Sequence, residues 1–270
     1  MYRIALLSSL FLLSLASANA QNDTLFKRVR YIKGDIKAFG VDNLENIYVL
    51  SSLGQLKKLN EKGDSVAVFN DIKKYGEASQ IDVSNPLKVL LYYRDFSTIV
   101  ILDRLLNVRT AIDLRRQNMF QVKSVALSYD SKIWVYDEMD SKLKKIDDDG
   151  RVLLETPDFR QLFGDAPMPV RLFDQDKYVY LYDPARAVYV FDYYGALKNK
   201  ILITGWKNFR VAGKYFFGTS ADQLYRYDIT TFRYDEWKMP ENLRNARQLD
   251  FSAGKVYALQ ADGIEIYNLQ

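Results

Sequence analysis

The sequence contains no cysteine and no histidine. Without cysteine there is no disulfide framework, no thiol nucleophile and no thiolate metal site. Without histidine the commonest general base, the commonest metal ligand and every histidine-containing triad are excluded. Proline is scarce, at 6 residues in 270, and no G-x-S-x-G elbow, P-loop or G-x-G-x-x-G run occurs. Charge of one sign is missing too: the formal net charge is +4. That balance argues against a nucleic-acid partner, whose phosphates call for a concentrated basic face. What is present is apolar and aromatic. Hydrophobic residues make up 48% of the chain and aromatic residues 14%, which is enough to bury a sizeable core.

The first twenty residues read as a secretory signal peptide. Arg3 supplies the positive start, Ile4 to Leu15 is apolar apart from three serines, and Ala18-Asn19-Ala20 has small residues where cleavage requires them. The mature chain is expected to begin at Gln21, in the periplasm or outside the cell. No later stretch approaches 18 uninterrupted apolar residues, so no transmembrane segment is expected after cleavage.

One pattern recurs six times along the rest of the chain. It runs Gly54-Gln-Leu-Lys-Lys-Leu-Asn60, Ser97-Thr-Ile-Val-Ile-Leu-Asp103 and Ser141-Lys-Leu-Lys-Lys-Ile-Asp147. It continues as Arg186-Ala-Val-Tyr-Val-Phe-Asp192, Asp222-Gln-Leu-Tyr-Arg-Tyr-Asp228 and Asp262-Gly-Ile-Glu-Ile-Tyr-Asn268. The closing Asp or Asn residues lie 36 to 45 apart. In three repeats Gly63, Gly150 and Gly195 follow three residues later, which marks an Asx-capped hairpin turn with glycine at positive φ. This assigns the acidic run Asp147-Asp148-Asp149 to a turn, since it lacks the spacing of a calcium loop. About ten residues before each motif stands a β-branched and aromatic run, such as Asn46-Ile-Tyr-Val, Lys132-Ile-Trp-Val or Lys177-Tyr-Val-Tyr. One further short apolar run precedes and one follows. The unit is therefore four short antiparallel strands.

A four-stranded sheet of about 40 residues cannot bury both faces alone, and radial stacking solves this. The fold expected is all-β, a six-bladed β-propeller occupying residues 21–270. The last repeat stops after its third strand. The β-rich run Leu25–Ile32 is the candidate to complete it, closing the ring and covering an open edge. Tyr48, Trp134, Tyr180, Phe217 and Tyr257 recur at one repeat position and are expected to pack blade on blade.

Phe39-Gly-Val-Asp-Asn-Leu-Glu-Asn-Ile-Tyr-Val49 with Leu56-Lys-Lys-Leu-Asn-Glu-Lys-Gly63 resembles the NHL-type six-bladed propeller repeat. That resemblance implies the fold. It implies three kinds of function, because relatives of this type include binding modules, lactonases and lyases. The chain is also similar to small periplasmic propellers of Bacteroidetes-type bacteria, among them the plug subunit family of the type IX secretion translocon. This implies a protein partner in an envelope or outer-membrane complex.

The longest connection, Pro157–Pro169, carries Phe159, Leu162, Phe163 and Met168 beside Arg160. It reads either as a protein-docking loop or as a short helix folded onto the blades. Arg115, Arg116 and Trp206 lie in other inter-blade connections. If these connections share a face, that face is expected to be basic and aromatic. Asp42, Asp82, Asp174 and Asp250 fall near innermost strands. Lactonase-type relatives imply a metal on the axis held by such carboxylates, and three or more converging would favour an enzyme, a metal-dependent lactonase or a lyase. A channel filled by aliphatic and aromatic side chains would favour a binding module. Asp42 and Asp174 are expected in turns, and with no assembled set the reading is a non-catalytic binding module without catalytic residues, metal or cofactor.

Overall fold

The computed structural model describes residues 26–252 and 254–269, and the expected signal peptide lies outside them. The chain begins with strand β1 (Phe26–Lys33). The first blade follows as β2 (Ala38–Val41), β3 (Ile47–Leu50), β4 (Leu56–Leu59) and β5 (Ser65–Phe69). Helix α1 (Ile72–Tyr75) leads to the second: β6 (Gln80–Asn85), β7 (Lys88–Tyr93), β8 (Thr98–Asp103) and β9 (Val108–Asp113). The third is β10 (Val122–Leu127), β11 (Ile133–Asp137), β12 (Lys142–Ile146) and β13 (Val152–Glu155). Helix α2 (Phe159–Phe163) precedes the fourth: β14 (Arg171–Gln175), β15 (Tyr178–Asp183), β16 (Ala187–Asp192) and β17 (Leu197–Ile201). The fifth is β18 (Lys207–Ala212), β19 (Tyr215–Thr219), β20 (Gln223–Asp228) and β21 (Tyr234–Lys238). The sixth holds β22 (Gln248–Ser252), β23 (Lys255–Leu259) and β24 (Gly263–Leu269).

Each blade is a four-stranded antiparallel sheet in sequence order, and the first strands of successive blades lie side by side in a closed circle. The sixth sheet is completed by β1, antiparallel to β24, with Lys33 opposite Gly263 and a bulge between Arg28 and Arg30. The expected closure is the one observed.

The core is six seams rather than one centre. In the middle strands successive side chains point to opposite faces, so neighbouring residues serve different seams. Tyr48 of β3 packs against the second blade, and Val49 packs against the sixth. This is why middle strands such as Lys88–Tyr93 are buried along their whole length and read as continuous apolar runs. The five repeat-position aromatics each enter a different seam: Tyr48, Trp134, Tyr180, Phe217 and Tyr257. Fully burying one large apolar side chain contributes about 1.5–3 kcal/mol.

The hairpin turns follow the sequence. Asp147 accepts backbone N–H bonds from Asp149 (3.0 Å) and Arg151 (2.9 Å), and Gly150 takes φ 85°. Asn60 with Gly63 and Asp192 with Gly195 repeat the device. At two equivalent turns the left-handed place falls to Leu106 (φ 62°) and Phe232 (φ 61°), without glycine.

Candidate functional site

Strand direction alternates within each blade, so the blade-to-blade connections and the second-to-third turns emerge at one end of the channel. Hydrogen bonds latch the two sets together. Leu114 N–H donates to the Ser97 carbonyl (2.9 Å), Phe159 to Ser141 (2.9 Å), Gly205 to Pro184 (2.7 Å) and Met239 to Asp222 (2.7 Å). Arg115, Arg116, the 157–169 segment and Trp206 therefore do share one end.

Carboxylates are interspersed with the cations of that end, and several of the cations are paired. Arg160 pairs with Asp158 at 2.6 Å, and the contact holds the Asp158 carboxyl below the usual carboxylate range. Arg116 pairs with Asp113 at 3.5 Å, Lys37 with Glu77, and Arg244 lies 4.0 Å from Asp222. Arg115 donates to the Asp95 carbonyl (2.8 Å) and to Ser97 Oγ (3.3 Å).

Two expected contact residues are buried. Phe159 is 0% exposed, with its ring 5.0 Å from Phe191 and 6.0 Å from Tyr136. It anchors α2 in the seam between the third and fourth blades. Phe163 is half-buried on the same seam, 4.9 Å from Tyr189. Trp206 stacks on Tyr225 at 5.0 Å and lies over Gly218, where an added Cβ would meet it at 2.4 Å. Neither Phe159 nor Trp206 can meet a partner, because their faces are already covered by the protein.

That end also exposes apolar side chains. Phe96, Phe120, Met139, Leu162, Met168 and Leu202 are between 48% and 79% exposed. All six lie in its turns and connections. The opposite end exposes Leu44, Leu87, Leu105, Tyr129, Tyr194 and Phe232 on its hairpin turns, spread from the first blade to the fifth.

The channel itself matches neither expected lining. The first strands leave an unpaired backbone edge toward the axis, and those N–H and C=O groups require partners. Polar side chains from the neighbouring blade supply them. Gln80 donates to the Val125 carbonyl and accepts from Val125 N–H (3.3 Å). Gln248 donates to Phe39 O (2.8 Å) and accepts from Phe39 N–H (3.2 Å), and Asn208 accepts from Leu249 N–H (3.1 Å).

The four carboxylates are engaged in the same kind of work. Asp42 caps its turn through Leu44 and Asn46 N–H (both 2.9 Å) and accepts from the Tyr48 hydroxyl (3.1 Å). Asp82 accepts from Ser84 N–H (2.9 Å) and Leu127 N–H (2.8 Å). Asp174 lies inside β14 rather than in a turn. It accepts from Ser128 Oγ (2.9 Å), Trp134 Nε1 (2.9 Å) and the Tyr193 hydroxyl (2.7 Å), and burial raises its pKa. Asp250 lies 3.2 Å from Arg210 Nε. Among the described residues no three histidine, cysteine, aspartate or glutamate side chains gather as a metal site would need.

Two arginines in the channel were not foreseen. Arg171 stands where Gln80 stands in the second blade: Gln80 faces Tyr92 across its sheet and Arg171 faces Tyr182. Both tyrosine hydroxyls donate to a carbonyl at the next blade's entry, Val122 (2.9 Å) and Trp206 (2.8 Å), and burial pushes both phenols up to about 12. Arg210 lies over the Phe173 ring at 5.8 Å, and its buried Nε has no hydrogen-bond partner among the described residues. The signal available in the sequence was a cation inside each of two short innermost strands, Arg171-Leu-Phe and Phe209-Arg-Val.

No family model matches the chain, and no curated protein matches it. Among solved structures it is similar to a streptogramin B lyase, at 16% identity over 87% of this chain and 79% of that one, TM-score 0.61. It is similar to virginiamycin B lyase from Staphylococcus aureus with quinupristin, at 15% identity over 91% of this chain and 89% of that one, TM-score 0.59. It is also similar to the β-propeller domain of Cps50 (Swd1) from Myceliophteria thermophila, at 7% identity over 91% of this chain and all of that one, TM-score 0.60. At these identities the likeness shows a shared β-propeller fold and nothing of activity.

Proposed function

We propose that this protein is a non-catalytic, exported β-propeller that docks onto a protein of the bacterial envelope, and that its partner belongs to an outer-membrane secretion translocon of type IX. The observation that carries the docking reading is the group of Phe96, Phe120, Met139, Leu162, Met168 and Leu202, exposed in consecutive turns and connections from the second blade to the entry of the fifth. Exposed apolar side chains in neighbouring connections are what a protein interface uses. Charges of both signs, several of them paired, surround it as a polar rim. The engaged carboxylates support the non-catalytic reading: hydrogen bonds that hold blades or turns together occupy Asp42, Asp82 and Asp174, and Asp250 faces Arg210. The translocon assignment rests on the resemblance of the repeat pattern to the plug subunit family. A rigid disc built from six cross-packed seams is mechanically suited to stop a wide pore.

The test is affinity purification of the mature protein from a native envelope, comparing wild type with Leu162→Asp combined with Met168→Asp. Both side chains point to solvent, so the melting temperature stays within about 1–2 °C, as surface changes do. A translocon component is expected with wild type and is lost with the double variant. Unchanged capture, or loss only with Leu87→Asp and Tyr194→Asp at the opposite end, removes this face from the account.

A further inference from the structure

The channel mouth between the fourth and sixth blades holds unequal charge. A cavity of about 270 Å³ there is lined by Arg171, Lys207 and Arg210, with Asp250 its one carboxylate among the described residues, while Asp82 and Asp174 border the adjoining channel space. Asp250 is already shared: its Oδ1 lies 3.2 Å from Arg210 Nε and accepts the Phe251 N–H at 2.8 Å. Among the described residues Arg171 makes no side-chain hydrogen bond, and neither it nor Lys207 has a carboxylate oxygen within 4.0 Å. Burial, and then Arg210, hold the Arg171 guanidinium below its ordinary pKa, with Asp250 and Asp82 opposing. An arginine so placed is costly when unpaired. In the blades where Gln80 and Gln248 occupy the equivalent place, an amide binds the neighbouring backbone instead. The walls are Phe173, Phe209 and Tyr182. Apolar walls lower the local dielectric and strengthen any charge pairing inside. Each guanidinium presents a planar fork that two oxygens of one anion fit side by side.

We propose that this mouth is an oxyanion site, which takes a carboxylate or phosphate group of a small molecule between Arg171 and Arg210 with Lys207 at the rim. The site is distinct from the apolar docking loops, and it stands or falls without them.

The test is titration of the mature protein with inorganic phosphate and with succinate, each against sodium chloride at matched ionic strength, followed by melting temperature and calorimetry. A saturable rise with phosphate, with succinate or with both is expected, and it is absent with chloride. Phosphate alone marks a phosphoryl ligand, and succinate alone marks a carboxylate one. Arg171→Gln installs the amide found in the equivalent place and weakens binding about tenfold or more. A second readout needs no variant: saturating oxyanion slows phenylglyoxal labelling of Arg171 and Arg210 in the wild-type protein, while exposed Arg116 labels as before. No saturable response to either oxyanion, an equal response to chloride, unweakened binding by Arg171→Gln, or unprotected Arg171 overturns the proposal.

Discussion

The seam between the second and third blades and the seam between the fourth and fifth come from the same repeat and are filled differently. The first is largely aliphatic, with Leu90, Ile99, Ile101, Val125 and Ile133 around Tyr92. The second is aromatic, with Tyr180, Tyr182, Trp206, Phe209 and Phe216. Tyr182 and Phe209 stack at 4.0 Å, with their planes 16° apart. At the inner edge of the first seam the Gln80 amide closes the gap to Val125. At the inner edge of the second, Arg171 stands in that place and a cavity opens. The repeat thus sets the frame, and the residue at the inner edge of each blade decides whether the neighbouring backbone is bound by an amide or faced by a cation.

Three measurements break or sharpen that contrast. The largest effect is expected from Trp206→Ala, which empties part of the aromatic seam. Loss of a buried tryptophan costs about 3–5 kcal/mol, read by chemical denaturation. An unchanged midpoint would return Trp206 to the surface and to the contact residues. Next come paired variants at the inner edge. Gln80→Leu leaves the Val125 N–H and C=O unpaired and is expected to cost about 1–3 kcal/mol. Arg171→Gln is expected to hold or raise stability in anion-free buffer, by up to about 1 kcal/mol, because it removes a guanidinium that no carboxylate contacts directly. Equal losses from both would erase the distinction between the seams.

The smallest effect lies outside both inner edges, at Asp228 in the outer turn of the fifth blade. Lys214 at 2.9 Å and the N–H groups of Thr231 and Thr230 hold its carboxyl down to about 2. The free carboxyl titrates near 3.9. A depressed carboxyl contributes stability above its unfolded pKa and loses it as pH falls through the folded one. Asp228→Asn is therefore expected to be less stable than wild type at pH 7, with the difference shrinking between about pH 4 and pH 2. A gap that widens on acidification would contradict the assignment.

Much of the fold was legible because it depends on local chemistry. The Asx and glycine positions fixed the outer turns, and the alternation within the runs fixed the strands. The last repeat's three strands, set beside the β-rich run Leu25–Ile32, indicated how the circle closes. The candidate site was less legible. Phe159 and Leu162 sit three residues apart in one short segment, and their composition marks both as contact residues. Helix α2 turns Phe159 into the seam and leaves Leu162 in solvent. Asp174 looked like a turn residue, yet it closes a buried network with Trp134 and Tyr193. Arginine in a short strand gives no local sign of whether a carboxylate from another blade will meet it.

The sequence by itself determined the number of blades, the order of their strands and the residue that faces each seam, because a period of about 40 residues and a two-residue alternation are properties of the chain alone. Only the tertiary structure decided which polar groups meet at the axis. Those groups come from different blades, and their pairing depends on distances across the channel that no neighbour in the chain controls.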